Sequence, residues 1–399
     1  NRKVMIKILY YISDLFVFWH LKRISQGYLI LKNSKKKEYI FGDSKSSLKA
    51  KIEIKDPSFC YKILRKGSAG LGESYINGQF ETNDLTSLIE LVAKNIKTTY
   101  KFSGYFEFSF FKNFLNRNVF KNTKVRSKQN ISLHYDLGND FFSTWLDKTL
   151  TYSCGIFYSS KETLEQAQIN KYDKLINMVE PKKGETILEI GCGWGGFAEY
   201  LAKNYDVKLD CITISKKQFL FTKERIRRAK LENKVNVYML DYRDIKKKYD
   251  VIVSIEMIEA VGEKYLDKYF DIIKQNLTPG GRGAIQAIII KDELYDRYKA
   301  KEDFIQKYIF PGGFLPSLKC LNKLSDKSGL KIDKYNLYGS HYSNTLQKWR
   351  ESFLNSWDII SRQGFNQNFK KKWDFYFSYC DAGFKSKNID LVQFSLCNK

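Results

Sequence analysis

The chain has 399 residues, 43% of them apolar, which is enough for two domains with packed cores and excludes an intrinsically disordered chain. Lys and Arg number 68 against 44 Asp and Glu, a net charge of +24, so the surface calls for an anionic partner, either nucleic acid or an anionic bilayer. The seven cysteines have no C-x-x-C spacing and there are only three His, which excludes a zinc framework and points to reduced thiols in a cytosolic protein.

The run nearest to a membrane span is residues 4–19, VMIKILYYISDLFVFW, but Lys7 and Asp14 interrupt it, so no transmembrane helix is expected. The segment reads instead as a surface anchor, or as a helix packed on the next domain. The chain opens at Asn1 rather than at a Met, which leaves room for preceding residues. Residues 26–60 alternate in polarity as short antiparallel strands, and DLTSLIELVAKNI reads as a helix. Residues 1–95 are therefore expected to form a small α+β accessory domain. Residues 96–130 are aromatic and basic, a linker or helical hairpin suited to a membrane interface or to single-stranded nucleic acid.

From residue 131 on, apolar runs alternate with helical patterns. TILEIG, KLDCITIS, NVYML, DVIVSIE and GAIQAIII read as strands, with amphipathic stretches between them. That alternation predicts an α/β fold, a Rossmann-like, doubly wound, mostly parallel sheet, and the tail from 291 reads as helical. Ligands in such sheets lie beyond the carboxyl ends of the strands.

One stretch organises this half of the chain. In LEIGCGWGG an apolar strand ends in Gly191, Gly193, Gly195 and Gly196, and a helical pattern follows. Gly191, Gly193 and Gly196 fit a dinucleotide fingerprint, with Asp210 as its ribose acid. Glu189 favours the other reading, an S-adenosylmethionine loop: a carboxylate there takes an ammonium but repels a pyrophosphate. The 29 Phe, 27 Tyr and 6 Trp either fill cores or line an acyl tunnel and face a cation.

Several motifs in fixed order then carry a family likeness. HYDLGNDFF, TYSCGIF, LEIGCGWGG, TIS…Q, DYRD, EMIEAVGEKY and KYIFPGGFLPS together resemble the cyclopropane-fatty-acyl-phospholipid synthase family, and GSAGLGESYINGQFE resembles its small N-terminal domain. The resemblance implies methyl transfer from S-adenosylmethionine to a cis double bond of a phospholipid acyl chain, forming a cyclopropane, with bicarbonate as the base. It implies a methyltransferase domain over 131–399, with a helical lid and acyl-binding helices. S-adenosylmethionine would map onto Tyr152, Ser153, Glu189, Gly191, Gly193, Gly195, Thr213, Gln218, Asp241 and Tyr242. The bicarbonate pocket would map onto Cys154, Glu259, Gln286, Ile288 and Tyr342.

On this reading Glu259 orients the anion and accepts its proton, while Glu256 shapes the cofactor pocket or caps a helix. Cys154 is not a nucleophile, having no cation beside it. His134 orders the lid, and His341 merely adjoins Tyr342. Two departures from the family pattern stand out: Gln286 and Ala260 occupy positions where a His is common, and Gln cannot carry a positive charge. That opens a methyl-branched or methylene product as an alternative. Outside this enzyme class stand a non-catalytic lipid-binding protein and a nucleic-acid methyltransferase; the second is disfavoured, since EMIEA occupies the place of an N/D-P-P-Y string. The expected partners are an unsaturated phospholipid and an anionic membrane surface, no nucleic acid, with a homodimer left open. The expected location is cytoplasmic, peripheral to the inner face of the membrane.

Overall fold

A computed structural model describes residues 2–95, 126–127 and 137–399. The linker expected at 96–130 lies outside these apart from two residues, and His134 lies outside them altogether.

The chain divides into two compact units. The first holds the N-terminal residues together with 300–309 and 361–388. Sequence reading assigned those last two segments to the C-terminal domain; they group with the first unit because their apolar faces are buried there. Its sheet has the order β2-β1-β3-β4, with β1 Tyr28–Lys32, β2 Glu38–Gly42, β3 Lys49–Ile54 and β4 Phe80–Thr82. The β1/β2 hairpin is antiparallel as expected, but β1 pairs with β3 in parallel, which corrects the all-antiparallel expectation. Gly72, in the helix Phe59–Ile76, lies so close to the Phe304 ring that a Cβ would overlap it. Tyr75 donates to Asp374 of the helix Gln367–Lys385 at 2.5 Å.

The first helix, Arg2–Leu21, is amphipathic. Ser13, Val17, Phe18, His20 and Leu21 are buried, whereas Met5, Ile8, Tyr11, Ile12, Leu15 and Trp19 are exposed. Its span Lys3–Leu21 is long and apolar enough to cross a membrane by length and composition, although Lys7 and Asp14 had set it aside in the sequence. Asp14 is partly withdrawn from water, and burial raises its carboxyl above the usual range.

The second unit is built on a seven-stranded sheet of order β10-β11-β9-β8-β5-β6-β7. These strands are β5 Thr186–Ile190, β6 Lys208–Thr213, β7 Val235–Met239, β8 Tyr249–Ile255, β9 Leu277–Ile290, β10 Leu330–Leu337 and β11 Ile389–Asn398. Strands β5 to β9 run parallel to one another. One cluster packs Tyr172, Leu175, Phe197, Leu201 and Ile226 against Ile187, Leu209 and Val251. A second packs Tyr269, Phe270, Ile273 and Leu321 against Leu188, Ile252 and Ile285. Alternate strand residues thus serve opposite faces, so these strands read as nearly continuous apolar runs. The sheet is doubly wound, as expected.

The expected helical tail also contains β10 and β11, which pair antiparallel with each other, as β11 does with β9. This arrangement sets Gln393 directly opposite Gln286. The carboxyl ends of β5, β6, β7, β8 and β9 share one edge of the sheet, and Glu189, Thr213, Asp241, Glu256 and Ile288 all come from there.

Candidate active site

The loop after β5 is shaped by glycines. Gly191, Gly193 and Gly195 have φ of 84°, 52° and 80°, the left-handed region. A Cβ on Gly191 would strike Met257 and one on Gly195 would strike Thr222, while at Gly193 it would meet nothing within 4 Å among the described residues. Two glycines therefore allow close packing, and Gly193 faces open space in which a ligand can approach the backbone. Glu189, one residue before the strand ends, is buried and accepts from the Cys211 thiol at 3.6 Å. Burial pushes its carboxyl up to about 7.

Thr213, the last residue of β6, donates to Gln218 at 3.0 Å, and Ser215 caps the helix Lys216–Arg228. Asp241 follows β7 and is gripped by Arg243 through both carboxylate oxygens, at 2.8 and 2.6 Å. The Tyr242 ring is buried against Tyr269, and its hydroxyl has no hydrogen-bond partner among the described residues. Asp210, the ribose acid of the dinucleotide reading, lies inside β6. It is bonded to Lys247 at 2.8 Å and to Asn236 and Tyr249 at 3.0 Å, so it is spent on structure.

The residues expected to cradle bicarbonate come together, but around Glu256. Glu256 Oε1 accepts from the backbone N–H of Cys154 at 2.9 Å and from the Gln286 amide at 2.7 Å. Its Oε2 accepts from the Tyr342 hydroxyl at 2.5 Å. Glu259 stands beside it on a short 3-10 turn; its Oε1 accepts from Ile288 N–H at 2.5 Å, and its buried Oε2 has no partner among the described residues. Burial, reinforced by the charge of Glu256, pushes the Glu259 carboxyl up to about 8. Burial also raises Glu256, against the pull of its three donors and of Lys171. The Cys154 thiol is wholly buried and held well above its ordinary value, so it stays protonated.

Lys171 is the functional candidate that sequence reading missed. It is fully buried on the helix Leu164–Val179 and donates to Ser153 Oγ at 2.7 Å and to Gln168 at 2.6 Å. Burial pulls its ammonium down to about 8, opposed by Glu256. Its signal was positional: a lysine between Ala167 and Leu175 on the apolar stripe. His341 accepts from Phe157 N–H at 3.1 Å, a structural contact.

Aromatic rings wall this cluster. The Tyr152 ring lies 5.1 Å from Trp349, 5.4 Å from Phe142 and 5.6 Å from Trp145, and Tyr342 meets Trp349 edge-on at 6.2 Å. Opposite, Phe314 N–H donates to the Glu259 carbonyl at 2.8 Å, which ties the FPGGF loop to the acidic turn.

Residues 122–394 match the family described as mycolic acid cyclopropane synthetase. The chain belongs to that family. It is 34% identical over 356 residues to the cyclopropane-fatty-acyl-phospholipid synthase of Escherichia coli, covering 87% of each chain. It is likewise 34% identical over 343 residues to the tuberculostearic acid methyltransferase UfaA1 of Mycobacterium tuberculosis, covering 84% of this chain and 80% of the relative. Among solved structures, the mycolic acid cyclopropane synthase CmaA1 in complex with SAH and CTAB is 27% identical with a TM-score of 0.64, covering 68% of this chain and 98% of that one. As a member of the family, the chain is an S-adenosylmethionine-dependent methyltransferase.

Proposed function

We propose that this family member methylates the cis double bond of an unsaturated phospholipid acyl chain and closes the adduct to a cyclopropane. The observation that carries the reading is the buried carboxylate–tyrosine–amide cluster, walled by aromatic rings and set beside a glycine loop that is open at Gly193. The reading is further supported by identity to a cyclopropane-fatty-acyl-phospholipid synthase over 87% of the chain.

S-adenosylmethionine supplies an electrophilic methyl on a positively charged sulfur. Glu189 takes its ammonium, and Tyr152, Ser153, Gly191, Gly193, Gly195, Thr213, Gln218, Asp241 and Tyr242 surround the remainder. An alkene is a weak nucleophile, so alignment by these residues counts for much of the rate. Attack leaves positive charge on the acyl chain, which the faces of Tyr152, Trp349 and Tyr342 stabilise without trapping it.

Bicarbonate, the base that the resemblance implies, fits the donor set poorly. Cys154 N–H, the Gln286 amide and the Tyr342 hydroxyl are spent on Glu256, and Ile288 N–H on Glu259. A second anion there would sit beside two buried carboxyls with none of these donors left to hold it. No step is therefore routed through bicarbonate.

The acyl substrate resides in a bilayer. The exposed apolar face of the helix Arg2–Leu21 and the net charge of +24 support peripheral docking on an anionic leaflet. A second product reading, a methyl-branched or methylene chain, is favoured by Gln286, which cannot carry charge as a His would. Equal identity to a protein named tuberculostearic acid methyltransferase keeps it in play.

Mass spectrometry after incubation with S-adenosylmethionine and vesicles of cis-monounsaturated anionic phospholipid tests the reading. One CH2 gained with the double bond lost means cyclopropanation. The same gain with unsaturation retained means the second reading. No gain despite cofactor binding refutes both.

A further inference from the structure

We propose that the Glu256 carboxylate is itself the general base of the reaction, standing where the resemblance to the synthase family implies a free bicarbonate ion. The proposal rests on the reading of the chain as an acyl-chain methyltransferase.

The hydrogen bonds carry the argument. A bicarbonate ion presents a planar O–C–O edge, and so does a glutamate. The donors expected to hold such an edge here are Cys154 N–H, the side chain at 286 and the Tyr342 hydroxyl, and all three hold Glu256. The orientation of the Gln286 amide is fixed from behind: Gln393 donates to its Oε1 at 2.8 Å, so its NH2 must face Glu256. Among the described residues Oε2 carries a single donor, Tyr342, which leaves it a lone pair for a proton.

The backbone agrees. Glu256 follows β8 with φ 48°, a left-handed conformation that is strained for a non-glycine residue. The conformation is held by Glu256 N–H donating to the Gln286 carbonyl at 2.8 Å, and it turns the side chain into the cluster rather than along the strand.

Charge balance also favours Glu256 as the anion of the pair. Lys171 is its buried counter-charge, and Glu259, held near 8, keeps its proton at neutral pH. The departure at position 286 fits this arrangement: the Gln286 amide gives Glu256 a donor in a fixed orientation.

The step balances without a further reactant. Once the new carbon is bonded to one alkene carbon, its neighbour bears the positive charge. Glu256 Oε2 takes a proton from the added carbon, and the released C–H electron pair forms the third ring bond. The products are a cyclopropane and a protonated Glu256, which returns its proton to solvent before the next turnover.

The test compares turnover on cis-monounsaturated phospholipid vesicles in bicarbonate-stripped and bicarbonate-supplemented buffer, and follows 13C-bicarbonate binding by NMR. The wild type should turn over equally in both buffers and show no bound bicarbonate. Glu256→Gln should lose about 10²–10⁴-fold in kcat, the usual worth of a general base, while binding S-adenosylmethionine normally. Glu256→Gly, which suits the left-handed backbone, should be inactive alone and regain turnover with added formate or bicarbonate. Loss of wild-type activity on stripping, bound bicarbonate in the wild type, or an active Glu256→Gln would each overturn the proposal. If the wild type modifies no lipid in either buffer, the substrate reading fails, and the NMR result alone still decides whether bicarbonate occupies the site.

Discussion

The Tyr342 hydroxyl donates to Oε2 of Glu256 at 2.5 Å, joining the helix Gly339–Asn355 to the end of β8. A hydrogen bond to an ionised carboxylate favours the charged form. Tyr342→Phe removes it, so the Glu256 carboxyl rises further. Glu256, Glu259, Lys171, Cys154 and Tyr342 share this cluster, so the acid limb of the kcat–pH profile reports them together. That limb should move up by about one pH unit, so kcat should fall by up to about tenfold on its acid side and stay unchanged well above it. An unchanged profile would remove Tyr342 from the site.

Glu189 makes cofactor affinity pH-dependent. Its carboxyl is raised to about 7 by burial, with Cys211 and Lys171 facing it. An ammonium binds the ionised form, so below pH 7 binding must first expel a proton. Calorimetry should find affinity weakening by up to about tenfold per pH unit below 7 and levelling above it. Glu189→Gln should bind more weakly throughout and lose the slope.

Gly193→Ala tests the cradle. The added methyl meets no atom of the described residues within 4 Å, so their packing is undisturbed, and the φ of 52° costs about 1–2 kcal/mol. Stability should fall slightly, whereas affinity for S-adenosylmethionine should fall far more, read by calorimetry on folded protein. Normal binding would contradict the loop assignment.

The exposed apolar face of the first helix is open to substitution. Ile8→Ser, Ile12→Ser and Leu15→Ser together expose less apolar surface, about 2 kcal/mol of transfer energy per side chain. Sedimentation with anionic vesicles should show a loss of binding of at least about tenfold, with cofactor affinity intact. Undiminished vesicle binding would place docking elsewhere.

The parallel half of the sheet was legible because β5, β6, β8 and β9 are buried on both faces and their apolar runs end in chemistry-bearing residues. Strands β10 and β11 were not. Most of β10 is exposed, and its partner lies some fifty residues further on, beyond three helices, so no local pattern joins them. The parallel β1/β3 pair was hidden for the same reason: alternation fixes a strand but not its partner. Segments 300–309 and 361–388 read as continuations of the methyltransferase domain, because chain order carries no sign of which core buries them. At the site, Cys154, Gln286 and Tyr342 gather around Glu256, and Ile288 holds Glu259. The exchange between Glu256 and Glu259 was invisible in the sequence. Three residues apart, they look equivalent until the positive φ at Glu256 turns one into the donors and leaves the other on Ile288. Lys171 had a readable signal in its place on an apolar stripe, but only the burial of Ser153 and Gln168 around it explains the charge.

The most direct measurement uses S-adenosylmethionine with a trideuterated methyl group and cis-monounsaturated phospholipid vesicles, reading the acyl product by mass spectrometry. Ring closure by proton loss from the transferred methyl predicts a gain of CD2, with two deuterium atoms retained and no double bond. A product that keeps all three deuterium atoms, or a lipid pool left unchanged by a protein that binds the donor, would contradict the account.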